Sequence, residues 1–187
     1  MSVEQQLRIR ACSAGDVEVF ARYRADPVSA TLTFGAVRTP ETAEDVARFV
    51  ETVNASGHLW IWADASDRAV GFSVLRSIDR LNRTLWTGSG IFEPDQRGRG
   101  LGSLGRRLVL DLVFNEMDYR RIYGEFGSFN EASRRSHLKM GAEIVGVRRQ
   151  VYFSSGVYHD AVVYTVARER FNALFPPDPR RHLEVRR

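Results

Sequence analysis

The sequence predicts an α/β fold: one mixed, mostly antiparallel seven-stranded sheet with helices packed on its faces. Three observations carry that expectation. Segments of two-residue and of helical periodicity follow one another as strand, two helices, three strands, helix, strand, helix and two strands, which makes seven strands. The middle three are joined by short polar turns and so form an antiparallel meander, whereas the strand–helix–strand step after them needs a parallel crossover. Between that meander and the next helix lies the run Asp95–Ser103, with glycines at 98, 100 and 102.

Each element has its own signal. Leu7–Ala11 alternates and predicts a strand; Ser13, with Asp16 three residues on, is a capping box for a helix to about Arg24, ended by Asp26-Pro27. Thr39-Pro40-Glu41-Thr42 starts the second helix, with the proline at its first position, Val46, Phe49, Val50 and Val53 on one face, and Asn54 to Gly57 as its stop. His58–Ala63, Ala69–Arg76 and Leu85–Phe92 are the meander strands. Leu101, Leu104, Leu108, Leu112 and Val113 recur at helical spacing. Arg121–Phe126 is a strand and Asn130–Met140 a helix stopped at Gly141. Ile144–Phe153 and Val157–Val166 form a hairpin around Ser154-Ser155-Gly156. Residues 1–175 are therefore expected as a single domain, and 176–187, with Pro176, Pro177, Pro179 and several arginines, as a mobile tail.

Composition bounds the function. With 43% hydrophobic and 11% aromatic residues in 187, the chain has ample apolar surface for one core, which excludes a disordered protein. No apolar run approaches the ~18 residues of a membrane span, and no basic-then-apolar leader opens the chain. Together with a lone Cys12, this predicts a soluble, cytoplasmic protein with no membrane partner. The net charge is +4, and the basic residues are 26 arginines and the single Lys139. Arginine grips phosphates bidentately, so phosphorylated ligands are favoured. No zinc-finger or helix-turn-helix pattern supports a dedicated nucleic-acid face. The histidines at 58, 137, 159 and 182 show no metal-ligand spacing, and no Gly-x-Ser-x-Gly elbow marks a serine hydrolase.

The glycine run carries the chemistry. Alternate glycines leave backbone N–H groups bare, so several can turn toward one anion at the positive end of the following helix. No Gly-Lys-Ser or Gly-Lys-Thr closes it as in a nucleoside-triphosphate loop, and no acidic ribose ligand follows as in a dinucleotide fold. What remains is a pyrophosphate held without metal.

Arg97-Gly98-Arg99-Gly100-Leu101-Gly102 resembles the pyrophosphate motif of the GNAT N-acetyltransferase superfamily, an Arg or Gln followed by x-x-Gly-x-Gly. The resemblance implies acetyl-CoA or another acyl-CoA as donor, a splayed central strand pair, and cofactor contacts from Gly90, Ile91 and Phe92 through the loop to Ser103. A second stretch, Glu125-Phe126-Gly127-Ser128-Phe129-Asn130-Glu131-Ala132-Ser133 with His137, Lys139 and Gly141, resembles the family's segment in which an Asn opens a helix and Lys-x-Gly closes it. It implies that Asn130 and Ser133 touch the cofactor. The pattern is closest to the RimI/RimJ/RimL-type acetyltransferases, which implies Glu125 as general base. His137 stands where the family places a tyrosine as general acid. Ala142 replaces a usual Phe, and Thr87 an acidic residue of some Rim-type relatives.

The family's acceptor pocket falls on the first helices and the last hairpin, which implicates Phe34, Trp60, Trp86, Tyr152, Tyr158, His159 and Asp160. The function implied is acyl transfer from coenzyme A to a primary amine of a small molecule or of a peptide or protein N-terminus. The expected partners are that amine and a second copy of the chain. Two alternatives stand beside it: an aminoacyltransferase of the same fold using charged tRNA, motivated by the basic charge and Arg134-Arg135, and a coenzyme A-binding protein without catalysis, motivated by His137.

Overall fold

Strand β1 (Arg8–Ala11) leads into α1 (Val17–Ala25), α2 (Pro27–Phe34) and α3 (Ala43–Ala55), and β2 (Leu59–Ala63), β3 (Ala69–Asp79) and β4 (Thr84–Ile91) follow as the meander. Then come α4 (Leu101–Asp111), β5 (Arg121–Gly127), α5 (Glu131–Lys139), β6 (Glu143–Ser154), β7 (Val157–Ala167) and α6 (Arg168–Leu174). This is a computed structural model, and it describes residues 7–34, 41–55, 58–154 and 156–177. The Phe34 side chain, Thr39-Pro40, Ser155 and the tail from 178 lie outside the described residues.

The seven strands form one sheet in the order β1-β2-β3-β4-β5-β7-β6. Every neighbouring pair is antiparallel except β4 and β5, as a crossover through α4 requires. The parallel pair is short: only Thr84, Leu85 and Trp86 meet Arg121, Ile122 and Tyr123, while β4 stays on β3 as far as Ile91. From residue 87 onward the two central strands part, and β5 turns its other edge to β7 along its whole length. A wedge therefore opens in the middle of the sheet.

The core lies on both faces. On one, Trp62, Leu85, Val113, Phe114, Ile122 and Phe171 are sealed from solvent; on the other, Phe20, Tyr23, Val50, Ile61, Phe72 and Phe92 are. Gly105 of α4 permits the first packing, since a Cβ there would stand 2.3 Å from the Trp62 ring. Burying rings of this size contributes roughly 2–3 kcal/mol each.

Three elements differ from the sequence expectation. Asp26-Pro27 ends α1 but also starts α2: the Asp26 carboxylate accepts from the Ser29 N–H at 2.8 Å, and proline is pre-set for the first helical turn. Helix α3 starts at Ala43, because Thr42 and Asp45 form the reciprocal cap (3.0 and 3.1 Å). Helix α6 was not expected. Its seven residues carry one deeply buried side chain, Phe171 against Phe114 and Phe175, too little periodicity to be legible.

Candidate active site

After a single 3-10 turn at Pro94–Gln96, Gly98 (φ 75°) and Gly100 (φ 84°) take left-handed backbone that side chains disfavour, which turns the chain sharply into α4. Gly100 caps the helix, its carbonyl accepting from Ser103 and Leu104 at 3.0 Å, so the Leu101 and Gly102 N–H groups are left at the loop without a partner in the helix. They open on a cavity of about 330 Å³ between α2, β4, α4 and α5.

All but three of the predicted cofactor positions line this cavity. Phe92 does not: it is buried against Phe20 and Phe72, and its N–H donates to Val70 at 3.0 Å. Arg99 points to solvent, and the Leu101 side chain is core, leaving only its backbone at the loop. Asn130 reaches the cavity with its side chain already engaged. Its Oδ1 accepts from Ser133 N–H at 3.0 Å as the α5 cap, and its Nδ2 donates to the Leu32 carbonyl at 3.2 Å. Asn130 thus joins α5 to α2 rather than presenting a free amide.

The charge at this cavity is one-signed. Arg97, Arg106, Arg135 and Lys139 line it, and no Asp or Glu does among the described residues. Arg106 escaped the sequence reading, and Arg135 entered it only as a motive for charged tRNA, because arginines on helices read as solvated. A signal existed for Arg106: it stands four residues after Gly102, one turn along the same helix face. Its Nε donates to Ser89 at 3.0 Å and its Nη1 to Ser136 at 2.7 Å, and Ser136 also bonds Ser103 at 3.0 Å. Burial pushes the Arg106 pKa below its ordinary value.

A second cavity, of about 780 Å³, adjoins the first and shares Leu32, Thr33, Ser89, Arg106 and Ser133 with it. Here the wedge between β4 and β5 brings Glu125 and His137 to one space. The Glu125 side chain is 11% exposed, with Oε2 2.7 Å from Arg148 and Oε1 3.9 Å from Arg76. Tyr152 lines the same cavity, its phenol pushed up to about 12 by burial and by the neighbouring Glu125 charge. Thr87 lines it as well.

His137 is buried, not on the helix surface. Its ring stacks on Tyr164 at 4.1 Å and lies parallel to Phe126 at 5.9 Å. Burial, with the Arg106 charge beside it, holds its pKa well below the ordinary histidine range, so it is neutral near pH 7. Tyr164, whose phenol burial pushes upward, was not singled out because it reads as one more core aromatic of β7.

The buried neutral state has a measurable consequence. An unfolded histidine takes its proton near ~6.5, and the folded His137 only at much lower pH. The stability that this difference supplies is present above ~6.5 and is lost as pH falls, by up to about 1.4 kcal/mol per unit. Urea melts at pH 7 and pH 5, a window above the carboxylates, should show that loss, and His137→Gln should flatten it. An equal slope in the variant would mean that His137 is not held neutral.

Most predicted acceptor residues lie elsewhere. Trp86 stacks on Tyr123 at 5.8 Å on the last paired rung, and Trp60 packs on the core. Tyr158 is 61% exposed beside Phe153, and His159 meets Phe129 edge-on. Asp160 is held within the hairpin, by Arg149 at 2.7 Å and the Gln150 N–H at 2.9 Å. Tyr158, His159 and Asp160 lie at the hairpin end of β7, beyond the Gly127–Ala161 rung where its pairing with β5 stops. Of the acceptor candidates with described side chains, Tyr152 alone faces the cavity.

A cationic glycine-loop cavity thus meets a carboxylate where the one parallel strand pair parts. The chain belongs to the GNAT acetyltransferase family: residues 6–143 match the family model for the acetyltransferase (GNAT) domain. It is similar to an SPbeta prophage-derived uncharacterized N-acetyltransferase, YokL, of Bacillus subtilis (strain 168), at 26% identity over 89% of this chain and 93% of that protein. Among solved structures, the fold matches the spermidine N-acetyltransferase of Vibrio cholerae in complex with CoA and spermine (TM-score 0.80, 18% identity, 89% of this chain and 98% of that one). It also matches a GNAT-family acetyltransferase of Bacillus anthracis (TM-score 0.74, 22% identity, 90% and 99%).

The protein is therefore an N-acetyltransferase that uses acetyl-CoA on an amine. Its small cavity suits the anionic end of that donor, with four cations, an exposed helix N-terminus and no carboxylate among the described lining residues. Among the described residues no helix is long and apolar enough to cross a membrane.

Proposed function

We propose that the chain acetylates the primary amine of a small molecule or of a peptide N-terminus by direct attack of the amine on the thioester. The observation that supports this most is the junction of the two cavities where β4 and β5 part, with cations alone on one side and Glu125 on the other. One domain over residues 1–175 performs the reaction, and its setting is the cytoplasm, with the free thiol of Cys12 kept reduced.

Gly98, Gly100, Gly102 and Ser103, with Arg97, Arg135 and Lys139, would hold the pyrophosphate end, and the unpaired edge of β4 at Gly90 and Ile91 would pair with the pantetheine arm. Coenzyme A, when bound, supplies an acyl group on a thiolate leaving group. Glu125 takes the proton of the incoming ammonium, directly or through water. The Rim-type likeness suggests the same role for it, five residues before Asn130. Arg148 fixes the carboxylate's orientation from one side and leaves Oε1 toward the cavity. His137, being neutral, contributes a hydrogen-bond donor rather than an acidic proton, and the Arg106 charge beside it favours the developing thiolate. The edge strand β6 exposes Val145, Val147 and Val151, which supports a second copy of the chain as partner.

Thiol release from acetyl-CoA across a panel of amines tests the reading, and turnover with at least one of them is expected. Coenzyme A binding without turnover of any amine would favour the non-catalytic alternative. Activity lost on ribonuclease treatment would favour transfer from charged tRNA.

A further inference from the structure

We propose that the acceptor is a free α-amino acid with an apolar side chain, its ammonium received by Glu125 and its carboxylate by Arg76; this rests on the acetyl-transfer reading above. The larger cavity has the wrong charge for a polyamine. Its described lining holds one carboxylate, Glu125, against two guanidinium groups, Arg76 and Arg106. Arg148 already pairs with Glu125 at 2.7 Å. A polyamine brings two or more ammonium groups, and only one could meet a carboxylate here. Each of the others would lose its hydration for nothing in return.

A zwitterion has the opposite requirement. An α-amino acid carries its ammonium and carboxylate on one carbon, so it needs a cation and an anion side by side. Arg76 and Glu125 are such a pair, 3.9 Å apart, beyond hydrogen-bonding distance of each other. They stand on one sheet face because Arg76 pairs with Trp86, Trp86 pairs with Tyr123, and Glu125 is two residues along β5 from Tyr123. The Trp86 ring lies 5.7 Å under the Arg76 guanidinium and steadies it where β4 and β5 begin to part. Arg76 makes no side-chain hydrogen bond to a described residue; its partners are the Trp86 ring and the long 3.9 Å ion pair with Glu125, so its planar fork is open to a carboxylate. Phe49, Val53, Val74, Leu75 and Ile78 complete the wall, an apolar surface for the remainder of the acceptor.

The experiment compares acceptors that differ at one group. With acetyl-CoA and the whole protein, kcat/KM is measured for leucine, methionine and phenylalanine, for their carboxamides, for the corresponding decarboxylated amines, and for spermidine. Calorimetry of the same amino acids onto the protein loaded with coenzyme A reads binding without turnover. The expected result is a preference of tenfold to a hundredfold for the carboxylate-bearing member of each set. Arg76→Ala should collapse that ratio toward one, and Arg76→Lys should restore part of it. Turnover of spermidine or of the decarboxylated amines at or above the amino acids would overturn the proposal, as would a preference unchanged in Arg76→Ala. If no amine were turned over, the acetyl-transfer reading would fail alone, and amino-acid binding lost in Arg76→Ala would still sustain this one.

Discussion

Gly100→Glu abolishes coenzyme A binding while leaving the fold standing. A Cβ at residue 100 meets nothing within 4 Å, so the packing of α4 against Trp62 is untouched. The backbone there is left-handed at φ 84°, which a side chain opposes by roughly 1–2 kcal/mol, a tolerable loss for a folded domain. The carboxylate, however, would stand at the mouth of a cavity lined by Arg97, Arg106, Arg135 and Lys139 and by no described acid. It would pair with the cations meant for the anion, and repel the anion as well. Gly100→Ala separates the two effects, since it carries the backbone strain without the charge and should weaken binding far less. Calorimetry with coenzyme A checks both variants, and unchanged affinity in Gly100→Glu would remove the loop from cofactor binding.

Glu125→Gln lowers kcat/KM by about tenfold to ten-thousandfold, the range for loss of a positioned base. The loss is deepest at low pH, where nearly all the acceptor is ammonium and its deprotonation limits the rate, and it shrinks as rising pH supplies free amine. Coenzyme A affinity should hold, because Glu125 lines the larger cavity and not the smaller. The amide keeps the shape of the side chain but leaves Arg148 without its anion, so thermal melts must accompany the kinetics. A pH–rate profile identical to that of the parent protein would exclude Glu125 from proton transfer.

Most of the smaller cavity's lining was legible in the sequence, because backbone makes much of it. Gly98, Gly100 and Gly102 act through conformation and bare N–H groups, and such demands are written locally as residue type and spacing. What residue type and spacing did not show there is side-chain direction. Phe92 and Leu101 sit in the motif yet turn to the core, and Asn130 spends its amide on Ser133 and Leu32. The acceptor half was poorly legible. Alternation identifies a strand but not how far along it a wedge reaches, so Tyr158, His159 and Asp160 fall at the hairpin end away from the cavity, while Tyr164, which lines it, was overlooked.

The sequence by itself determined the seven strands, their antiparallel meander, the single parallel crossover and the glycine turn into α4, since periodicity and glycine spacing are properties of neighbouring residues. Tertiary structure alone decided what surrounds the larger cavity. The parting of β4 and β5 after Trp86 sets Arg76 from β3, Arg106 from α4, Glu125 from β5, His137 from α5 and Tyr164 from β7 around one space. Their protonation and pairing follow from that assembly. His137 is neutral because burial and a guanidinium from another helix make it so, and Glu125 is flanked by arginines 49 residues upstream and 23 downstream. Charge at such a site is fixed by distances through space, which separation along the chain does not encode.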